Sequence, residues 1–264
     1  MLLKDKVAVI YGGGGAIGSA VAGRFAREGA KVFVTGRTLE KLERITNEIT
    51  WHGGSAEAAV VDALNEVEVE AHLASIVEKA GRIDTSFNAI TPVPQQGTQG
   101  IPIAELSVDS FIAPITLYLR SQFITTRAAA KRMAAAGTGV ILMNTPEPAR
   151  LGAAHVGGMG PAWAAMEALS RNLSAEYGPS GVRSVVLRST GMPETETIDI
   201  VFGLHAKALG ISREQFQGFI ESMTHRKRST SVAEVAEFAT FLASDRASAM
   251  TGTVANLTGG LIVD

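Results

Sequence analysis

The stretch Tyr11–Gly18 reads Tyr-Gly-Gly-Gly-Gly-Ala-Ile-Gly and constrains the fold more than any other segment of the chain. It follows the apolar run Val7-Ala8-Val9-Ile10, which reads as a short buried strand. After it, Ala16, Ala20, Val21 and Phe25 recur at helical spacing, so the loop joins a strand to a helix. Bare backbone N–H groups in such a turn can approach a phosphate closely, and the helix N-terminus adds partial positive charge there. Gly13, Gly15 and Gly18 fit the dinucleotide fingerprint G-x-G-x-x-G. Four consecutive glycines match many templates, and it is the position after the first strand that makes this match specific. The loop residues expected to touch a dinucleotide are Gly12, Gly14, Gly15, Ile17 and Gly18.

Strand and helix signals then alternate along the chain, and that alternation predicts a doubly wound α/β fold with about seven parallel strands and helices on both faces. Strands are expected at about 30–35, 56–61, 83–89, 140–143, 182–187 and 253–257. Thr38 is placed to cap a helix running to about Thr50, and Asn65 to open one that Gly81 stops. A long helix is expected from about Ser107 to Ala136, with Pro114 kinking or breaking it near its start. Residues 91–104 and about 144–157 read as loops beyond strand ends, where open α/β sheets bind ligands. Residues 189–230 hold two short helices, about Asp199–Leu209 and Ser212–Met223, and read as a mobile lid inserted into a single domain.

Composition narrows the function. With 24 basic and 26 acidic residues the chain carries a net charge of −2 and has no electrostatic footprint for nucleic acid. The basic run His225-Arg226-Lys227-Arg228 is short and reads as a solvated turn. The absence of cysteine excludes disulfides, thiolate metal sites and cysteine nucleophiles. The histidines lack metal-ligand spacing, and no Gly-x-Ser-x-Gly elbow occurs. No apolar window is long enough to span a bilayer, and Lys4, Asp5 and Lys6 interrupt any signal region, so a soluble, cytoplasmic protein is expected.

With the elements placed, the chain resembles the short-chain dehydrogenase/reductase family over nearly its whole length. Gly12 and Gly18 match the outer glycines of that family's Gly-x-x-x-Gly-x-Gly loop, with Ala16 in the middle position. Asp62 is similar to the aspartate that meets the adenine ring, with Ala63 beside it. Asn88-Ala89 resembles the core of the Asn-Ala-Gly motif, with Ile90 replacing the glycine. The segment Ser231–Gly260 follows the family's closing pattern. The resemblance implies a nicotinamide dinucleotide cofactor, a small-molecule substrate and a homodimer or homotetramer. Assembly is expected through the small apolar faces of about Thr125–Ala136 and Ala162–Leu173. Cofactor type follows from the second strand, which ends Thr35-Gly36-Arg37. An NAD site places a carboxylate there for the ribose 2′-hydroxyl, whereas a guanidinium suits a 2′-phosphate, so NADP(H) is favoured over NAD(H).

The family's usual catalytic groups are a serine, a tyrosine, a lysine four residues later and an asparagine on the long helix. Anchoring on Leu169-Ser170-Arg171-Asn172-Leu173 puts Trp163 at the lysine, Met159 at the tyrosine and Pro146 at the serine position. Anchoring on Phe123 and Thr126-Arg127-Ala128 puts Tyr118 at the asparagine position. Gly158-Met159-Gly160 resembles the enoyl-acyl carrier protein reductase branch, whose tyrosine would fall at Val156 and lysine again at Trp163. The three tyrosines, Tyr11, Tyr118 and Tyr177, have no lysine four or seven residues on. Substitute chemistry could come from Tyr118, Thr145, Glu147, Arg150 or His155. Tyr118 and His155 are the catalytic candidates, and Glu147 and Arg150 read as a local ion pair. Three functions stay open: an NADP(H)-dependent oxidoreductase with a non-standard site, a dehydratase or isomerase on the same scaffold, or a catalytically degenerate binding protein.

Overall fold

The structure is a computed structural model and describes residues 1–91 and 96–263. In chain order the elements are β1 (Val7–Tyr11), α1 (Ala16–Arg27), β2 (Lys31–Gly36), α2 (Leu39–Trp51), β3 (Ser55–Val60), α3 (Glu66–Ala80), β4 (Thr85–Asn88) and α4 (Val108–Ala136). They continue with β5 (Gly139–Pro146), α5 (Met159–Tyr177), β6 (Val182–Ser189), α6 (Glu196–Leu209), α7 (Arg213–Met223), α8 (Val232–Ala243) and β7 (Thr253–Leu257). Among the described residues the strands form one seven-stranded sheet, ordered β3-β2-β1-β4-β5-β6-β7, and every neighbouring pair is parallel.

Period-two alternation along each strand divides the core into two layers. From β1, Ala8 and Ile10 pack with α1, α2 and α8, while Val7, Val9 and Tyr11 pack with α3, α4 and α5. Chain order reverses between β1 and β4, which opens a crevice at their carboxyl ends. The phosphate-type loop leaves β1 at that point. A third, smaller cluster of Phe202, Ala206 and Phe216 lies within α6 and α7.

Local signals mostly act as expected. Asn65 Oδ1 accepts from the Val67 and Glu68 amides at 3.1 and 3.3 Å, and Gly81 closes α3 at φ +79°. Thr38 holds the N-cap position of α2 but makes no side-chain capping bond. The helix α4 runs unbroken through Pro114, so the expected break is absent. The proline sits within the first two turns and is buried. β5 continues through Asn144 and Thr145 to Pro146, where a loop was expected, because those residues pair in register with β6. A single helical turn, Glu147–Ala149, then follows. Of the loop at 91–104, residues 92–95 lie outside the described residues. Within the segments expected to assemble, Ala128, Ala129, Ala130, Met133, Ala162 and Met166 pack against this chain's own sheet, while Ala164, Ala165, Ala168 and Leu169 on the other side of α5 stay partly exposed. None of the helices described is long and apolar enough to cross a membrane.

Candidate functional site

The glycine loop contains two kinds of glycine. A Cβ at Gly12, whose φ is +73°, would fall 2.4 Å from the Ala89 carbonyl oxygen, and one at Gly18 would fall 2.4 Å from the Gly12 oxygen. Close packing of β1, β4 and α1 therefore requires both. Gly14 and Gly15 are different, since a Cβ there would meet nothing closer than Lys41 Cβ at 3.4 Å and the Gly12 oxygen at 3.5 Å. Their bareness leaves backbone open to a ligand. Gly15 caps α1 without a side chain, and no acid occupies the first turn. The Ala16, Ile17 and Gly18 amides thus have no partner within the helix and form the positive end of its dipole. An uncapped helix start behind a bare cradle fits the diphosphate of a dinucleotide.

Around the loop, the structure separates the expected cofactor contacts. A Cβ at Gly36 would lie 4.0 Å from the Gly14 amide nitrogen, so Arg37 leaves β2 beside the loop. Arg37 is exposed and joins none of the ion pairs among the described residues. Asp62 is half-buried, and its Oδ1 accepts from the Leu64 amide at 3.0 Å. Ala63, next to it, packs on the α3 side of the core. Asn88 turns toward α4, where its Nδ2 donates to Gln122 Oε1 at 2.9 Å and Thr125 Oγ1 at 2.8 Å. Of the expected contacts, Gly15, Ile17, Gly18 and Ala89 line a common cavity, whereas Asn88 holds the helix behind it.

That cavity has a volume of about 730 Å³ and runs from the loop to the inner faces of α6 and α7. Its far wall is apolar, with Phe202, Phe216, Phe219, Ile220 and Met223. Tyr118 and Trp163 meet edge to face, 6.3 Å between ring centres, and both line it. Pro146, paired with Ser189 across β5 and β6, also lines it, but Met159 is fully buried and does not. His155 stands at φ +62° with its ring 6.4 Å from that of His205. His205 stacks on Phe216 and lies 3.3 Å from Gln99 Oε1 through Nε2. Burial, and then the neighbouring His155, push its pKa down to about 4. The expected ion pair between Glu147 and Arg150 is absent: Arg150 is exposed, and Glu147 turns inward to line the cavity. Its Oε2 is shielded from water with no hydrogen-bond partner among the described residues, and burial pushes its pKa up to about 7. Asn144 Oδ1 and Ser189 Oγ, also on the wall, likewise have no partner among the described residues.

Behind the wall lies a charge pair that no sequence pattern marked. Arg188 donates from Nε and Nη2 to the two Glu167 oxygens at 2.8 and 2.6 Å, and Thr145 Oγ1 adds a third bond at 3.0 Å. Both charged side chains are buried. The available signal was one acid on the apolar face of α5 and, in the apolar strand β6, the second of its two arginines.

Residues 14–262 match the family model described as enoyl-(acyl carrier protein) reductase. The chain belongs to the short-chain dehydrogenase/reductase family. An A-factor type gamma-butyrolactone 1'-reductase of Streptomyces virginiae is 29% identical over 265 residues, covering 99% of this chain and 97% of its own. Actinorhodin polyketide ketoreductase with NADPH is 26% identical with a TM-score of 0.85, covering 97% of each chain. An NAD+-bound xylitol dehydrogenase, 23% identical, shares the fold at a TM-score of 0.90 over 98% of this chain and 100% of its own. Solved structures of this fold thus include both cofactors, and the fold by itself does not choose between them.

Proposed function

We propose that the protein is an NADP(H)-dependent oxidoreductase that interconverts a carbonyl compound and its alcohol at a non-standard short-chain family site. The observation that carries this reading is the uncapped start of α1 behind Gly14 and Gly15, opening into the same cavity as the strand ends. Bound there, a nicotinamide dinucleotide supplies or takes a hydride. The chain's own contribution is to hold the diphosphate on the Ala16–Gly18 amides and to exclude water with the apolar walls. Arg37, exposed beside the loop with no carboxylate at the end of β2, supports a 2′-phosphate and hence NADP(H). Asp62 and Ala63 are assigned to the adenine side of that site.

The site is non-standard because Met159, Trp163 and Pro146 stand where the family places tyrosine, lysine and serine. Met159 has no proton to give, and Pro146 has neither hydroxyl nor amide N–H. The segment 189–230 is assigned as a lid, since α6 and α7 hold their own small cluster and form the far wall of the cavity.

The test is calorimetric titration with NADPH and NADH, followed by reduction of a carbonyl panel. NADPH is expected to bind more tightly than NADH, and Arg37→Ala should weaken NADPH by about ten-fold, roughly 1.4 kcal/mol. Equal losses for both cofactors would remove the 2′-phosphate argument. Tight NADPH binding with no turnover on any carbonyl would transfer the assignment to the isomerase or binding readings.

A further inference from the structure

Three polar atoms without partners among the described residues lie at the carboxyl ends of two paired strands. Asn144 lies on β5, Ser189 ends β6 opposite Pro146, and Glu147 follows Pro146 directly. The atoms are Asn144 Oδ1, Glu147 Oε2 and Ser189 Oγ, and all three residues line the cavity. Leaving buried polar atoms unpaired costs roughly 1–3 kcal/mol each, so three together on one wall mark where a ligand's polar group belongs. The facing wall, from α6 and α7, offers aromatic and aliphatic side chains instead. Such a cavity matches a molecule with an extended apolar body and one oxygen function.

We propose that this cavity takes an apolar ketone or the corresponding secondary alcohol, and that Glu147 is the catalytic acid that protonates the substrate oxygen. The inference rests on the oxidoreductase reading for its chemistry, and on the cavity alone for its binding site. In the reducing direction the carbonyl carbon gains a hydride from the reduced dinucleotide. The carbon–oxygen π pair moves to oxygen, and the proton on the Glu147 carboxyl forms the new O–H bond. Glu147 is left as a carboxylate and regains its proton from solvent. Ser189 Oγ supplies a second donor to the same oxygen, and Asn144 Oδ1 accepts from the hydroxyl once it forms. Burial that raises the Glu147 carboxyl to about 7 keeps it part-protonated at neutral pH, the range in which an acid–base group works best.

Of the histidines on the cavity wall, His205 is neutral above pH 4 and engaged with Gln99, and the His155→Gln variant below separates His155 from Glu147. From α5, which packs against the Glu147 turn, Glu167 is held by Arg188. Arg150 lies on the exposed side of the same turn.

Trp163 lines the cavity, and the second tryptophan, Trp51, is 87% exposed, so a Trp51→Phe background isolates a reporter inside the site. The probe is undecanone, a straight-chain methyl ketone, titrated without cofactor. It is expected to change Trp163 emission and to bind about ten-fold more weakly one pH unit above 7 than one unit below, because only the protonated carboxyl donates. In Glu147→Gln, whose amide donates at every pH, the affinity should be pH-independent. His155→Gln should keep the wild-type slope. Turnover of undecanone with NADPH should fall at least about 10²-fold in Glu147→Gln. A flat pH profile in the wild type, a slope that survives in Glu147→Gln, or one that vanishes in His155→Gln would overturn the assignment. No response of Trp163 to undecanone would overturn the substrate class. Failure of NADPH to bind, measured separately, would instead remove the oxidoreductase reading and leave ketone binding to be judged by itself.

Discussion

At Gly15 an added methyl group would meet only the Gly12 oxygen at 3.5 Å, whereas at Gly18 it would fall 2.4 Å from that same atom. Gly15→Ala should therefore fold with wild-type stability while placing a methyl in the phosphate cradle. NADPH affinity is expected to drop by at least about ten-fold, roughly 1.4 kcal/mol, by calorimetry, with an unchanged urea midpoint. Gly18→Ala must push backbone apart and should lower the urea midpoint instead. A stable Gly18→Ala protein would refute that division of the loop. Residue-scale energetics also set the role of the buried Glu167–Arg188 pair. Its two direct bonds and the Thr145 hydroxyl satisfy both charges where little water reaches. Arg188→Met strands a carboxylate and should destabilise the fold by about 3–5 kcal/mol. Removing both charges, in Glu167→Leu with Arg188→Met, should recover most of that loss. Denaturation curves of the single and double variants distinguish a stranded charge from simple loss of packing.

Between elements, the pH response of the α6–α7 segment depends on His205. Buried on α6 against Phe216 and facing His155, it titrates near 4 when packed and at its ordinary value of about 6.5 when released. The open or unfolded form thus binds the proton more readily, so acidification from about 6.5 toward 4 favours opening, and above 6.5 the packed form keeps its full advantage. Amide exchange within 196–223, corrected for intrinsic rates, should accelerate over that window, and His205→Phe should abolish the change. An exchange rate independent of pH in the wild type would contradict the lid assignment of His205. How far these elements were legible follows from the kind of signal each carries. The strands, the caps at Asn65 and Gly81 and the two helices of 189–230 follow from local periodicity and local hydrogen bonds. The extension of β5 through Pro146 does not, because it depends on register with β6. The same register decides the site. Glu147 followed by Arg150 reads as a local ion pair, yet the strand carries Glu147 inward and leaves Arg150 in water. Ser189 carries no sequence signal at all until its pairing with Pro146 is known.

For the molecule as a whole, the remaining question is how much apolar surface the single chain leaves uncovered. Of the small-residue segments of α4 and α5 that suit assembly in sequence, the inward side belongs to the chain's own core, and Ala164, Ala165, Ala168 and Leu169 stay partly exposed on α5. What α4 leaves outside is a different stripe. Val108, Ile112 and Phe123 are 77%, 45% and 47% exposed, and at a period of 3.6 residues they fall on one side of the helix. A helix of 29 residues is about 44 Å long, enough to supply much of the roughly 800 Å² per partner of a standard interface. Arg127 stacks 4.9 Å over the Phe123 ring, which places a cation at the edge of that apolar stripe, as interface rims often do. We therefore expect a homodimer or homotetramer that buries this stripe, with a sedimentation mass of about two or four times 27.6 kDa. Because Phe123 is half-exposed in the single chain, Phe123→Glu should leave the fold intact while replacing the ring at the centre of the contact with a carboxylate. That variant should sediment as a monomer with unchanged circular dichroism. A wild-type mass of 27.6 kDa, or a Phe123→Glu protein that still assembles, would show that the α4 stripe is not the contact.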